Sequence, residues 1–138
     1  GTAYIGKGDL QKMFDMFKKA YELKPNAKES INIYAIGAIY TKNVQVLNEL
    51  ATKLDPSVII NDNRFIKAYS DIGDYQTVIN ILNERLKSDP NNVQNKLSLA
   101  SVYASMGEKQ KAITLLLEIS SANPEYKAEI DAYIKELQ

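Results

Sequence analysis

The sequence predicts an all-α fold, an α-solenoid of stacked antiparallel helix pairs closed by a C-terminal capping helix. Two observations support this prediction. The four prolines, Pro25, Pro56, Pro90 and Pro124, are separated by 31, 34 and 34 residues, and a fixed period of this length is typical of stacked helical repeats. Between the prolines, apolar residues recur at helical spacing of three and four positions.

A tyrosine, a glycine four residues later and a proline seventeen residues after the glycine form a set of landmarks that occurs three times. The sets are Tyr4, Gly8 and Pro25; Tyr69, Gly73 and Pro90; and Tyr103, Gly107 and Pro124. Glycine at a helix end allows the left-handed backbone conformation that a tight reversal needs. We therefore predict a turn at each of these glycines.

The composition suits one domain and excludes several kinds of function. The 138 residues are 45% hydrophobic, and 17 basic residues balance 17 acidic ones, so no overall field attracts nucleic acid or an anionic membrane. The absence of histidine and cysteine removes the usual general base, thiol nucleophiles and the common metal ligands. With no run of about 18 apolar residues, no membrane insertion is predicted. We predict no enzymatic activity, no cofactor and no metal site.

Residues 1–25 form a partial repeat in this interpretation. A turn at Gly8 precedes one amphipathic helix, and its partner helix is nearly missing because Gly1 falls where the middle of that helix belongs. We therefore expect the chain to be a fragment of a longer protein. The apolar residues of the helix should be less covered than their counterparts in later repeats, which would permit self-association at this end. These residues are Leu10, Phe14, Phe17 and Tyr21.

The second repeat, residues 26–56, divides into two helices at Thr41-Lys42-Asn43. Its first helix is apolar nearly all round, so both of its sides must be covered. The interval from Pro25 to Pro56 is 31 residues, three fewer than the two later intervals between prolines. The missing residues should fall in the second helix or in the turn before it.

The third and fourth repeats, residues 57–90 and 91–124, each comprise two helices. The turn between the two helices falls at the glycine landmark, Gly73 or Gly107. The capping helix occupies residues 125–138 and places Ile130, Tyr133, Ile134 and Leu137 on one face. Solenoids need such a helix to cover their exposed end. In total the sequence predicts seven main helices and a partial turn at the start: one helix after Gly8, three pairs less one because one boundary is ambiguous, and the helix Tyr126–Leu137.

These features make the chain similar to the tetratricopeptide repeat family. The residues that carry the resemblance most clearly are Leu99, Ala100, Tyr103, Gly107, Ala112 and Pro124. The resemblance implies a right-handed superhelix whose concave groove, lined by the first helix of each pair, binds peptides or partner proteins. The third repeat departs from the pattern at Ile66, Val78 and Arg85, so its helices should pack differently. We expect Asp62 and Arg85 either to form an ion pair or to be two independent solvated charges.

Residues one helical turn away from the core stripe should project into the groove. The candidate peptide-binding residues are Asn32, Ile36, Tyr40, Asn63, Arg64, Lys67, Ser98 and Ser101. Arg64 and Lys67 lie three residues apart on one helix face and could together bind an anionic group, which suggests an acidic partner. The alternatives are that these two cations form a solvated helix face and that Ile36 and Tyr40 are buried.

Two functions remain open at the level of sequence. The first is a protein–protein interaction module that binds a peptide or partner protein in the groove. The second is the soluble repeat tail of a larger bacterial membrane protein. The phrases NDNRFIKAYSDIGDYQTVINIL and NPEYKAEIDAYIKEL are similar to tails of O-antigen ligase-like enzymes, where such an array would serve assembly or regulation. An RNA-binding repeat would need a basic groove, which the neutral charge disfavours.

Overall fold

The structure, a computed structural model, describes residues 7–138, and this part of the chain is all helical. It contains nine α-helices and one 3₁₀ turn at Pro124–Tyr126. The helices are α1 (Lys7–Leu23), α2 (Lys28–Tyr40), α3 (Val44–Leu50), α4 (Pro56–Asn61), α5 (Asn63–Asp71), α6 (Tyr75–Ser88), α7 (Val93–Ser105), α8 (Lys109–Ala122) and α9 (Lys127–Leu137). The partial turn predicted around Tyr4 lies outside the described residues.

The helices pack into two compact units, Gly1–Asp74 and Tyr75–Gln138. In the first unit, α1, α3 and α5 pack against α2, and α4 packs against α5. In the second unit, α6 and α8 pack against α7, and α9 packs against α8. Each unit is therefore a stack of sequential helices, as predicted for a helical repeat protein.

Three equivalent turns end the first helix of successive repeats. Lys42, Gly73 and Gly107 have positive φ angles of 56°, 79° and 81°. In each turn the next amide donates a hydrogen bond to the carbonyl five residues earlier: Asn43 to Ala38 at 2.8 Å, Asp74 to Tyr69 at 2.9 Å and Glu108 to Tyr103 at 2.9 Å. This pattern is the Schellman motif of helix ends, and it confirms the turns predicted at Gly73 and Gly107.

The turn predicted at Gly8 is wrong. Gly8 lies in the first turn of α1, which begins at Lys7. The following residue, Asp9, is an acidic residue in that first turn, where its charge interacts favourably with the positive end of the helix dipole. Gly8 is helical, whereas Gly73 and Gly107 end their helices with positive φ angles.

The first helix of the third repeat is broken at Asp62, which the sequence analysis did not predict. Asp62 has an extended backbone, with φ −86° and ψ 113°, and its carboxylate accepts a hydrogen bond from the Arg64 amide at 3.0 Å. It is thus the N-cap of α5, a role for which aspartate is strongly preferred. All three pairs are present, and the break at Asp62 divides one further helix into α4 and α5, so seven helices were too few. The Asp62–Arg85 ion pair stays a prediction.

The short helix α3 accounts for the deficit in the period. It has seven residues, whereas α6 and α8, the second helices of the next repeats, have fourteen each. The prediction that the missing residues fall in the second helix or its preceding turn is confirmed. Leu50, the last residue of α3, is fully buried and holds this short helix on the core.

The core of the first unit is organised around α2, which is buried on nearly all sides as predicted. Its buried residues are Ile31, Tyr34, Ala35, Ile36, Gly37, Ala38 and Ile39. A Cβ at Gly37 would lie 3.0 Å from the Phe17 ring and 3.4 Å from the Phe14 ring, so glycine lets both rings approach the helix. Phe14 is consequently buried, contrary to expectation, while Leu10, Phe17 and Tyr21 are only half-buried.

The core of the second unit includes the capping helix. Ile130 and Ile134 of α9 are buried together with Leu116 and Ile119 of α8. Tyr133 and Leu137 pack against the same cluster. The predicted apolar face of the terminal helix is confirmed, and α9 is an integral part of this unit.

Candidate functional site

Arg64, a predicted groove residue in the first turn of α5, lies between two carboxylates. Its guanidinium contacts Glu29 of α2 at 2.5 Å and Asp62 at 2.8 Å. The side chain of Arg64 is 46% exposed and that of Glu29 is 65% exposed. Hydrogen bonds from Arg64 lower the pKa of Asp62, against a smaller opposing effect of burial. Arg64 therefore joins α2 to the N-cap of α5.

Lys67 and Tyr40, two further predicted residues, converge on Asp71 at the end of α5. The Lys67 ammonium and the Tyr40 hydroxyl each lie 2.6 Å from the same carboxylate oxygen and donate to it. Burial and the bond to Asp71 raise the pKa of Tyr40. Burial also opposes ionisation of Asp71, but the bonds from Lys67 and Tyr40 outweigh it and lower the Asp71 pKa. Tyr40 is thereby fixed across the α2–α5 contact.

The two predicted cations thus lie among three carboxylates. Arg64 binds Glu29 and Asp62, and Lys67 binds Asp71. An incoming acidic group would have to compete with these partners at a face that carries more negative than positive charge. Exposed ion pairs contribute at most about 1 kcal/mol each, so they can open, but the face has no excess of positive charge to attract an acidic ligand.

The remaining predicted residues of the first unit differ in accessibility. Ile36 is only 8% exposed and belongs to the core cluster, so it follows the burial alternative and is not available to a ligand in this structure. Asn32 is half-buried on α2, and Asn63 is exposed at the first position of α5.

In the second unit, Ser101 lies in a well-defined cleft of about 300 Å³. The cleft is lined by Leu97 and Ser101 of α7, Leu116 of α8, Tyr126 of the 3₁₀ turn, and Glu129, Ile130 and Tyr133 of α9. Ser98, the other predicted residue on α7, is half-buried and is not among the lining residues. The capping helix therefore forms one wall of the cleft and α7 forms the opposite wall.

The cleft has the chemistry expected of a binding site for an apolar side chain, and the site has polar groups at its rim. Leu97 is half-buried and presents aliphatic surface, while Leu116 and Ile130 are buried parts of the lining. Tyr126 and Tyr133, both half-buried, add rings with hydroxyl groups. Pockets of this kind, mostly apolar with a few polar groups, are typical of binding sites.

Sequence analysis identified only part of this cleft. Ser101 was predicted because it lies on the groove face of the first helix, whereas the residues of α9 were assigned to capping alone. The available signal was the spacing of Glu129 and Tyr133, which places them on one side of α9 next to the buried Ile130, and the position of Tyr126 directly before this helix.

Two protein-family models match the chain, and both are described as tetratricopeptide repeat. One matches residues 76–131 and the other residues 1–27, so together they cover more than half of the sequence. The chain belongs to the tetratricopeptide repeat family. The longer match covers most of the second unit of this tetratricopeptide repeat protein, including α9 up to Asp131. The unmatched residues 28–75 contain the short α3 and the helix break at Asp62, the two irregular features of the array.

No curated protein matches the chain. Tetratricopeptide repeats generally mediate protein–protein interaction and are typically non-catalytic scaffolds. Within residues 7–138, no helix has both the length and the apolar character needed to cross a membrane. The repeat tail of a larger membrane protein stays a prediction that these observations do not address.

Proposed function

We propose that this tetratricopeptide repeat protein is an interaction module whose second unit binds an aliphatic side chain of a partner protein in the α7–α9 cleft. The observation that carries the proposal is the cleft itself, which is lined by the half-buried Leu97, Tyr126 and Tyr133 and by the buried Leu116 and Ile130. It lies on α7, the first helix of its repeat, which is the helix that the family uses to line its groove.

The cleft is preformed because its walls belong to the core. Leu116 is fully buried and Ile130 is 2% exposed, so the backbone of α8 and α9 is fixed where these residues stand. A site that needs little reorganisation loses less conformational entropy on binding. An aliphatic side chain of the partner that enters the cleft leaves contact with water, which favours association.

The rim supports a protein segment as the ligand. The hydroxyl groups of Ser101, Tyr126 and Tyr133 can bond to the backbone amides and carbonyls of a bound segment. Glu129 brings a negative charge to the same rim, so a basic residue next to the aliphatic anchor would be electrostatically complementary. The proposed partner therefore presents an aliphatic residue beside a basic one.

The charges around Arg64 and Lys67 weigh against the acidic partner suggested by the sequence, because three carboxylates already surround these two cations. In the first unit, the polar face at the predicted residues gives no comparable apolar site. The α7–α9 cleft of the second unit is therefore the better site for the partner.

Selection of peptides from a random library tests the proposal without a known partner. We expect selected peptides to share an aliphatic residue beside a basic one, and calorimetry to give the affinity of each. Ser101→Arg, which fills the cleft from an exposed position, should abolish binding. Ser88→Arg, an equally exposed substitution at the end of α6, should leave it unchanged.

Thermal unfolding followed by circular dichroism would show that both variants are folded. If a folded Ser101→Arg variant binds the selected peptides as well as the unsubstituted chain does, the cleft is not the binding site and the proposal is wrong.

A further inference from the structure

A second cavity, of about 340 Å³, lies in the first unit between α1 and α3. Its lining consists of Phe14, Lys18, Tyr21 and Glu22 of α1, Tyr34 of α2, and Asn43, Gln45, Val46 and Glu49 at and beyond the start of α3. The α1 residues recur at helical spacing and so belong to one face of that helix. Both α1 and α3 pack on α2, and the cavity lies between them with Tyr34 among its walls.

This cavity is separate from the surface used by the family. Within each repeat the family groove is lined by the first helix, whereas α1 and α3 are the second helices of successive repeats. The cavity is thus lined mainly by α1 and α3, and Tyr34 is its one lining residue from α2. None of the predicted groove residues lines it.

Tyr34 directs an unpaired polar group at this cavity. Its side chain is only 4% exposed, and its hydroxyl has no hydrogen-bond partner among the described residues. In that part of the chain no fully buried side-chain oxygen is left without a partner. The Tyr34 hydroxyl therefore keeps some accessible surface, and Tyr34 is a lining residue of the cavity. Burial raises its pKa, and the charges of Glu49 and Glu22 raise it further, so the hydroxyl stays neutral and can accept a hydrogen bond.

The lining favours a cation. Two carboxylates, Glu22 and Glu49, face one ammonium, Lys18. Lys53, which is not a lining residue, places its ammonium 5.0 Å from the centre of the Tyr21 ring and donates a hydrogen bond to the Tyr21 hydroxyl at 2.8 Å. Aromatic faces attract cations through the negative charge density above the ring.

The aromatic residues form a continuous surface. The Tyr21 and Tyr34 rings are stacked with centres 4.9 Å apart, and the Phe14 ring lies 5.5 Å from Tyr34. Phe14 and Tyr34 are buried, so their rings belong to the cavity wall and are not open to a ligand. The five N–H groups of a planar guanidinium can reach separate acceptors, whereas an ammonium has three donors.

We propose that this cavity binds the guanidinium of an arginine side chain presented by a partner protein, with Glu22, Glu49 and the Tyr34 hydroxyl as its acceptors. This second contact site is independent of the α7–α9 cleft. Arginine is enriched at protein interfaces and at their energetic centres, which agrees with a partner-borne ligand.

Calorimetric titration with the capped pentapeptide Ala-Ala-Arg-Ala-Ala tests the proposal, and the same peptide with citrulline in place of arginine is the control. Citrulline has nearly the same shape but no charge. We expect the arginine peptide to bind and the citrulline peptide to bind at least about tenfold more weakly, since hydrogen bonds to charged groups are stronger than those between neutral groups. Equal binding of the two peptides would overturn the proposal.

Substitutions locate the site. Glu49→Gln and Tyr34→Phe should each weaken the arginine peptide several-fold, and Lys18→Gln should strengthen it because it removes a like charge. Glu136→Gln, the same charge change on the exposed face of α9, should have no effect. Glu49 is exposed, so its replacement should leave folding intact. If the Glu49→Gln variant binds the arginine peptide with unchanged affinity, the cavity is not the site.

Agmatine, a free guanidinium compound, distinguishes the source of the ligand. Weaker binding of agmatine than of the peptide supports an arginine held in a polypeptide. Agmatine binding as tight as that of the peptide, or tighter, would overturn the partner protein as the source.

Discussion

Replacement of Lys42 by glycine should stabilise the protein. Lys42 has φ 56° and occupies the turn position that Gly73 and Gly107 occupy in the next two repeats. A residue with a Cβ is disfavoured in the left-handed conformation by about 1–2 kcal/mol. Glycine gives back about 0.4–1 kcal/mol through the larger entropy of its unfolded chain. The expected net gain in the free energy of unfolding is about 0.5–1 kcal/mol.

Urea unfolding of the variant and the unsubstituted chain measures this gain. Lys12→Gly is the matched control, because Lys12 is also an exposed lysine but lies within α1. Glycine in a helix is less favourable than other residues by up to about 1 kcal/mol, so the control should lose stability. Gly107→Ala should also lose stability, since its Cβ would meet no atom within 4 Å and only backbone strain remains. If Lys42→Gly destabilises the protein as Lys12→Gly does, the reasoning about this turn is refuted.

Three further predictions follow from the packing and the charges. Leu50→Ala, at a fully buried position, should cost about 2–5 kcal/mol in urea unfolding, whereas Leu23→Ala, at a side chain 83% exposed, should change stability by less than about 0.5 kcal/mol; similar losses would contradict the burial of α3. A double-mutant cycle of Arg64→Ala and Glu29→Ala should give a coupling below about 1 kcal/mol because both side chains are exposed, and a larger coupling would show that the pair is more shielded than the structure indicates. The lowered pKa of Asp71 means that its contribution is present above the ordinary aspartate pKa and is lost as the pH falls through the folded-state value. Asp71→Asn should therefore unfold with a weaker dependence on acidic pH than the unsubstituted chain, and an unchanged dependence would exclude this carboxylate as a source of acid sensitivity.

The repeat architecture could be predicted because its landmarks act locally. Gly73 and Gly107 terminate helices through their own backbone freedom, and the apolar face of α9 is evident from the spacing of Ile130 and Ile134. The period of 31 residues before Pro56 likewise indicated a missing helical turn, which the structure places in α3.

The exceptions depended on competing local signals or on contacts between distant residues. At Gly8 the landmark offset competed with a helix start, and at Asp62 an N-cap interrupted a continuous apolar pattern. Burial of Phe14 depends on the absence of a side chain at Gly37. The spacing of apolar residues along the sequence does not predict such a contact between two helices. Such features follow from the packing of one helix on another.

The candidate site was harder to predict than the fold. Arg64 and Lys67 were correctly placed on the first helix of their repeat, but their partners Glu29 and Asp71 change what the face can bind. The α7–α9 cleft combines one residue from the predicted groove face, Ser101, with residues of the cap. A periodic pattern shows which face of a helix is polar, and it does not show which neighbouring side chains neutralise it.

The central claim is that a partner segment inserts an aliphatic side chain into the α7–α9 cleft. The most direct measurement is photo-crosslinking with a selected peptide in which the aliphatic anchor is replaced by photo-leucine, followed by mass spectrometry of the digested adduct. We predict crosslinks to Leu97, Ser101 or Tyr133, and their loss in Ser101→Arg but not in Ser88→Arg. Crosslinks confined to α2 and α5, or a pattern unchanged by Ser101→Arg, would contradict the claim.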